Sequence, residues 1–275
     1  MINKAISVLT IVHQRKEALD NLLAGLRRSQ VLPGEVIIVH MNEAVREYPP
    51  QGYPLRTHQI MAEGHLPLAE ARNLAAAKAN GDKLVFLDAD CIPAPDLTGR
   101  YAAALEGPQT LWTGAVRYLQ NGAARNPELF DRLEELSRPD PVRDHRSAIR
   151  YELFWSLNFG CSKATFSRIG GFDPAFCGYG GEDTDFAFSA RRQGVPVQWT
   201  AALAYHQHHA SYDPPLNHLA DIVKNAKVFK AKWGSWPMEG WLQKFAAAGF
   251  IRWDDEDLSI LRLPAEAEIV AALKL

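Results

Sequence analysis

The chain has 275 residues, 47% of them apolar, enough to bury one full core, and a formal net charge of -2. That balance lacks the basic excess needed to displace counterions from nucleic acid, so it excludes a general nucleic-acid binder and points to small-molecule partners. Cys91, Cys161 and Cys177 form neither a metal knuckle nor a disulfide framework, which suits a reducing cytoplasm, and no stretch reaches bilayer length, which leaves only peripheral association with the inner face of a membrane open.

Ala5 to Val12 reads as a strand. A helix with Leu19, Leu22, Leu23 and Leu26 on one face follows, then the apolar run Glu35 to Val39, making a βαβ unit. A second helix, Leu68 to Lys78, leads through the turn signal Asn80-Gly81-Asp82 to a short buried strand, Leu84 to Leu87. This alternation predicts an α/β fold with a doubly wound, mainly parallel sheet flanked by helices. Where the strand runs out, Asp88 and Asp90 project to one side and Ala89 to the other, at the sheet end where open α/β proteins bind ligands. A carboxylate there can hold a divalent metal, and the metal a diphosphate; two merely solvated acids are the alternative.

Between Asn121 and Arg150 the chain turns proline-rich and charged, with Pro127, Pro139 and Pro141 beside residues such as Glu134, Arg138 and Asp144. It reads as a solvated helix and loop in preference to a mobile lid over an acceptor. The stretch from Gly171 to Asp185 then carries Gly178, Gly180 and Gly181, followed at once by Glu182 and Asp183. The glycines permit a left-handed backbone or a close approach to a bound molecule, and Thr184 to Arg192 has helical composition, stopped by Gly194-Val195-Pro196. A carboxylate in the first turn meets the positive end of the helix dipole, which predicts an ionised Asp183 able to take a proton from a hydroxyl. The same pair can equally serve as a helix cap.

Downstream, His206 and His208 share a face if Ala204 to His209 is extended, and imidazole with carboxylate is a donor set for a metal such as Mn²⁺. From Asn217 onward, Leu219, Ile222, Val223, Ala226 and Phe229 mark one apolar helical face. Trp233, Trp236 and Trp241 crowd the next interval and read first as anchors of a C-terminal helical extension, and second as acceptor contacts.

Taken in order, these pieces resemble GT-A glycosyltransferases of the family 2 type. The segment Ile6 to Arg15 is similar to the family's first strand and nucleotide-contacting turn, and Glu70 to Asp82 to its Ala-Arg-Asn helix before the Asp-x-Asp strand. The run from Asn158-Phe159-Gly160 through Gly170-Gly171-Phe172-Asp173 to the histidines continues the likeness, and Gly178 to Asp185 also resembles the β-1,4-galactosyltransferase signature Gly-aromatic-Gly-Gly-Glu-Asp-x-Asp. The resemblance implies a Rossmann-like GT-A domain over 1–210, nucleotide-binding to about 95 and acceptor-binding and catalytic from about 96, with the helical extension over 211–275.

Residue by residue, it implies that Val12, His13 and Arg15 lie against the base and diphosphate of a nucleotide sugar, with Arg72 close by. Asp88 would meet the ribose, Ala89 would sit beside it, and Asp90 would meet the metal. His206 matches the later metal ligand, with His208 as the alternative. Asp183 aligns with the catalytic base and Glu182 with a neighbour touching acceptor or donor sugar, while Tyr179 occupies the position that packs on a sugar ring, flanked by Gly180 and Gly181. The implied activity is Mn²⁺- or Mg²⁺-dependent, inverting transfer of a hexose or N-acetylhexosamine from a UDP-sugar to a hydroxyl of a glycan, a lipid-linked sugar or a small molecule.

The chain departs from the pattern in three places. His40-Met41-Asn42-Glu43 stands where an acid usually follows the second strand, leaving Asn42 and Glu43 as candidates; Ser189 stands near a usual arginine; and Leu203 replaces a methionine ligand, so the choice of metal stays open. Two other readings are a sugar nucleotidyltransferase and a non-catalytic carbohydrate-binding protein on the same fold. The first calls for a glycine-rich phosphate loop at the first strand, yet residues 1–24 contain no glycine. The second would be expected to lack the acids that this chain keeps at 88, 90, 182 and 183.

Overall fold

The computed structural model describes residues 2–145 and 147–274. In chain order the main body runs β1 (Ile2–Val12), α1 (Lys16–Arg27), β2 (Leu32–Met41), β3 (Leu55–Ile60), α2 (Leu68–Lys78), β4 (Lys83–Leu87), β5 (Cys91–Pro93) and α3 (Leu97–Ala104). It continues with β6 (Leu111–Leu119), β7 (Ser137–Pro139), β8 (Asn158–Ser162), α4 (Lys163–Ile169), α5 (Glu182–Arg192) and β9 (Val197–His206). Among the described residues no helix is long and apolar enough to cross a membrane.

These nine strands form one mixed sheet in the order β3-β2-β1-β4-β8-β6-β9-β5, with β7 beside β6. The first four are mutually parallel, and β8 runs antiparallel to both β4 and β6. Side-chain alternation explains why both faces are covered. In β1 and β2, Ile6, Val8, Val36 and Ile38 meet the leucines of α1, whereas Leu9, Ile11, Ile37 and Val39 join the core beneath α2. The chain steps outward from β1 to β3, then returns to the opposite flank of β1 as β4. That reversal opens a crevice at the carboxyl ends of β1 and β4, just beyond Val12 and Leu87.

The segment from Asn121 to Arg150 differs from the helix and loop expected of it. Among its described residues there is no α-helix, only two short 3₁₀ turns at Ala123–Arg125 and Leu129–Asp131, and then β7. Its prolines remove helix donors, and two of its leucines are anchored instead of solvated: Leu129 and Leu133 pack with Ile92, Leu119 and Tyr205. Arg143 is buried too, donating from Nε to Asp140 at 2.7 Å.

The C-terminal residues add α6 (Leu219–Trp233) and α7 (Glu239–Ala247). The predicted apolar face of α6 is buried; Leu219, Ile222, Val223 and Ala226 share a core with Leu242 and Phe245 of α7, and Phe229 reaches Phe176 and Phe188 of the main body. A buried carboxylate reinforces this seam. Asp185 accepts hydrogen bonds from Trp233 Nε1 at 2.7 Å and Lys232 Nζ at 3.0 Å.

α5 is thus gripped on two sides, because Phe186 enters the sheet core, stacked on Phe172 at 4.3 Å between centroids. Phe186→Ala should cost about 3–5 kcal/mol through lost burial and a residual cavity, read as a lower urea midpoint.

Candidate active site

Asp88, Ala89 and Asp90 form the turn between β4 and β5. Ala89 faces the apolar core and offers the crevice only its backbone, while Asp88 and Asp90 remain partly open. Arg72, buried on α2, spans the crevice: Nη2 lies 3.4 Å from Asp88 Oδ1 and Nη1 3.2 Å from Glu182 Oε1, with the guanidinium over the Phe172 ring. One cation thereby ties the end of β4 to the start of α5. Burial pushes the Asp88 carboxyl up to about 6 against the pull of Arg72.

Asp183 is half-buried in the first turn of α5 and accepts the Thr184 N–H at 2.7 Å. Burial, and then the charge of Glu182, push its carboxyl up to about 7, while Arg72 pulls it down. The helix dipole alone predicted a plainly ionised group; desolvation and a like charge outweigh it. A carboxyl poised near neutrality is better matched to proton transfer than an ordinary aspartate.

A second cluster surrounds Asp90. His206 Nε2 and His209 Nε2 each lie 3.5 Å from its carboxylate, on Oδ1 and Oδ2 respectively, and one ligand atom from each of the three residues lies within 4.8 Å of the others. Asp90 Oδ1 is buried without a hydrogen-bond partner, and a carboxylate with one imidazole facing each oxygen fits a divalent cation. His208, the expected alternative, is exposed and outside this cluster. The expectation rested on an extended chain, but β9 ends at His206 and the chain turns at Gln207, whose Nε2 donates to the Ala18 carbonyl at 2.9 Å and whose Oε1 accepts from Asn21 at 2.8 Å. Neither Gln207 nor His209 carries a local sequence signal beyond the histidine run itself.

Around the end of β1, a cleft of about 150 Å³ is lined by Val12, Gln14, Arg15, Leu19, His40 and Glu43. His13 Nδ1 donates to the Met41 carbonyl at 2.7 Å. Glu43 braces the turn, accepting the Gln14 N–H at 2.6 Å and lying 2.8 Å from His40 Nδ1, and Asn42 bridges His65 and Ala62. Both candidates that followed the second strand therefore have structural partners already. Arg15 is exposed at the mouth.

The glycine-rich loop closes the other side. Gly178, Gly180 and Gly181 all have positive φ, at 75°, 97° and 90°, and a β-carbon on Gly180 would stand 2.9 Å from Met238 Sδ. Tyr179 keeps 38% of its surface exposed. What holds the loop was not legible in the loop's own sequence: Asn225 of α6 donates to the carbonyls of Gly180 at 2.8 Å and Cys177 at 3.1 Å, and Asp221 accepts the Tyr179 N–H at 3.2 Å.

Residues 7–170 match glycosyl transferase family 2. The chain belongs to that family. Residues 142–210 also match the N-terminal domain of galactosyltransferase, a stretch that includes Glu182, Asp183 and His206. A validoxylamine A glucosyltransferase of Streptomyces hygroscopicus subsp. limoneus is 28% identical over 225 residues, covering 70% of this chain and 49% of that protein. Its counterpart in S. hygroscopicus subsp. jinggangensis is also 28% identical, with 52% of its length covered, so the chain spans about half the length of the curated relatives it matches.

Among solved structures, S. aureus TarS 1-349 in complex with UDP-GlcNAc is similar with a TM-score of 0.54 and 15% identity, over 82% of this chain and 66% of that one. GalNAc-T7 with UDP, GalNAc and Mn²⁺ is similar with a TM-score of 0.55 and 14% identity, over 74% of this chain and 43% of that one. At such identities the likeness establishes the fold, which is GT-A.

Removing the bridging cation should expose how much the crevice depends on it. Arg72→Met should destabilise by about 3–5 kcal/mol near pH 8, because buried carboxylates lose their counter-charge. Asp88 and Asp183 are already raised to about 6 and 7, and protonating them removes the penalty, so the gap from wild type should narrow as pH falls to 5 in matched urea titrations. For the metal cluster, calorimetric Mn²⁺ titration should show His209→Ala weakening binding by about tenfold or more, with His208→Ala unchanged.

Proposed function

We propose that the chain transfers a hexose or N-acetylhexosamine from a UDP-sugar to an acceptor hydroxyl with inversion, Asp183 acting as general base. The donor class draws on the UDP and UDP-GlcNAc complexes of TarS and on GalNAc-T7 with UDP, GalNAc and Mn²⁺; the glucosyltransferase relatives favour a hexose. The observation that carries the reading is the place of Asp183, in the first turn of α5 behind the glycine-rich loop and next to Glu182, which Arg72 ties to Asp88.

Donor binding falls to the ends of β1 and β4. Val12 and Arg15 border the cleft for base and diphosphate, with His13 between them in sequence but outside its lining, Asp88 takes the ribose, and Arg72 holds Asp88 and Glu182 in register. Asp90, His206 and His209 would hold Mn²⁺ or Mg²⁺, whose chemistry there is Lewis-acid stabilisation of charge on the departing UDP. On the other side, Asp183 removes the proton from the acceptor hydroxyl as its oxygen bonds to the anomeric carbon. The bond from that carbon to the diphosphate oxygen breaks with its electron pair leaving on UDP, so one displacement converts an α-linked donor into a β-linked product. Proton NMR of the first-formed glycoside should show the β configuration; retained α configuration rules the mechanism out.

Asp183→Asn preserves shape but cannot take the proton, so transfer should fall by about two to four orders of magnitude while UDP affinity stays near wild type. A pH series separates this from a capping role. In the wild type, transfer should rise with pH through about 7 as Asp183 deprotonates. A carboxyl held near 7 in the fold but near 4 in the unfolded chain makes stability fall as pH rises through that window. Asp183→Asn escapes that loss, so its stability should gain on wild type between pH 4 and 8; a cap would give the opposite sign.

A further inference from the structure

Both imidazoles beside Asp90 come from one short run, His206-Gln207-His208-His209, and which pair faces the carboxylate depends on how the chain leaves β9. Gln207 decides it. Only 3% of its surface is exposed, and it is anchored at three points: its backbone N–H donates to the Asp90 carbonyl at 2.7 Å, its Nε2 donates to the Ala18 carbonyl at 2.9 Å, and its Oε1 accepts from Asn21 Nδ2 at 2.8 Å. The amide has one orientation, because the Ala18 carbonyl can only accept. With backbone and side chain both held, residue 207 cannot continue the strand, so His209 comes back to Asp90 and His208 is turned to solvent.

His209 arrives with its ring already set. Its Nδ1 lies 2.8 Å from the Ala210 carbonyl, so the neutral imidazole keeps its proton there and turns a bare Nε2 toward Asp90. A buried amide gives up water at both ends, and an apolar side chain of the same length would fill the space without that cost. What the glutamine adds is direction. Its anchors also have a place in the site: Ala18 and Asn21 lie on α1, and the start of that helix, with Arg15, Lys16 and Leu19, borders the cleft of about 150 Å³ beyond β1. One helix thus carries both the border of that cleft and the support of the histidines.

We propose that Asn21 and Gln207 are positioning residues for the cation site, a strut from α1 that selects His209 over His208 as the partner of Asp90 and fixes the site relative to the cleft. This rests on the reading that Asp90, His206 and His209 hold the cation, and it gives a role to two residues outside that ligand cluster.

Calorimetric titration of Mn²⁺ alone into the full chain tests it, using Gln207→Met and Asn21→Leu. Methionine matches glutamine in length without its hydrogen bonds, and leucine is a better helix former than asparagine, so both variants should fold, as urea titration checks. Each should bind Mn²⁺ about tenfold more weakly than wild type. The deciding readout is which histidine matters. In the Gln207→Met background the released segment can extend, bringing His208 onto the face of His206. There His208→Ala should weaken binding by a further threefold or so, roughly the loss of one ligand in a site already loosened, while His209→Ala should change it little. Lost packing alone would weaken binding without exchanging the histidines. The proposal is overturned if either folded variant binds like wild type, or if His209 remains the histidine that matters in both backgrounds. Should His209→Ala leave the wild-type affinity unchanged, the cation reading falls and the strut with it; a sensitive His209 with an insensitive Gln207 removes the strut alone.

Discussion

The buried guanidinium of Arg72 is the interaction on which the crevice depends. It sits at the one point where α2, the end of β4 and the start of α5 converge, and it is hydrogen-bonded to a carboxylate from each of the latter two. Neither acid would be tolerable alone at that depth, since desolvating an unpaired carboxylate costs several kcal/mol. The pair of bonds also fixes geometry: a planar fork reaching Asp88 with one nitrogen and Glu182 with another constrains the separation of the end of β4 from the start of α5 in a way that a lysine's single ammonium could not.

The placement of α5 needs a second restraint, because Arg72 holds only its first turn. Phe186 on one face and Phe188 on another commit the helix to two different cores, and Asp185 locks it to Lys232 and Trp233 of α6. Residues 182, 183, 185 and 186 thus serve charge pairing, the proposed chemistry, docking and core packing within about a turn and a half. A shift of α5 that relieved any one of them would disturb the other three. The C-terminal helices are therefore mechanically coupled to the catalytic side, through Asp185 below and through Asn225 and Asp221 at the glycine-rich loop.

Much of this could be read from the chain alone. The βαβ start, the buried strand before Asp88, the helix beginning at Glu182 and the apolar face of α6 each follow from local periodicity, which is a property of neighbouring residues. What escaped were relations between distant segments. His209 replaces His208 beside Asp90 because Gln207 is bound to α1, some 190 residues earlier by sequence. Glu43 is engaged by Gln14, and Asn225 supports a loop on another element. The segment from 121 to 150 looked solvated because its charges dominate its composition, yet the few apolar residues among them decide where it packs. The upward shift of Asp183 escaped for the same reason: the helix dipole is local, whereas burial and the facing charges are tertiary.

Those facing charges also explain why the crevice has the electrostatics of a receptor awaiting a cation. Asp88, Asp90, Glu182 and Asp183 bring four carboxyls to one region, against the single guanidinium of Arg72. A diphosphate would enter this field only against repulsion, and its own charge would raise Asp183 further, toward the protonated form that cannot act as a base. A divalent cation at Asp90, His206 and His209 would offset both effects at once, since it would offer the diphosphate a partner and its positive charge would favour the ionised form of Asp183. The Asp90 cluster and Asp183 would therefore be linked through charge alone. On this argument Asp183, if it is the base, would be more fully ionised with cation and diphosphate present together than with a diphosphate present without the cation.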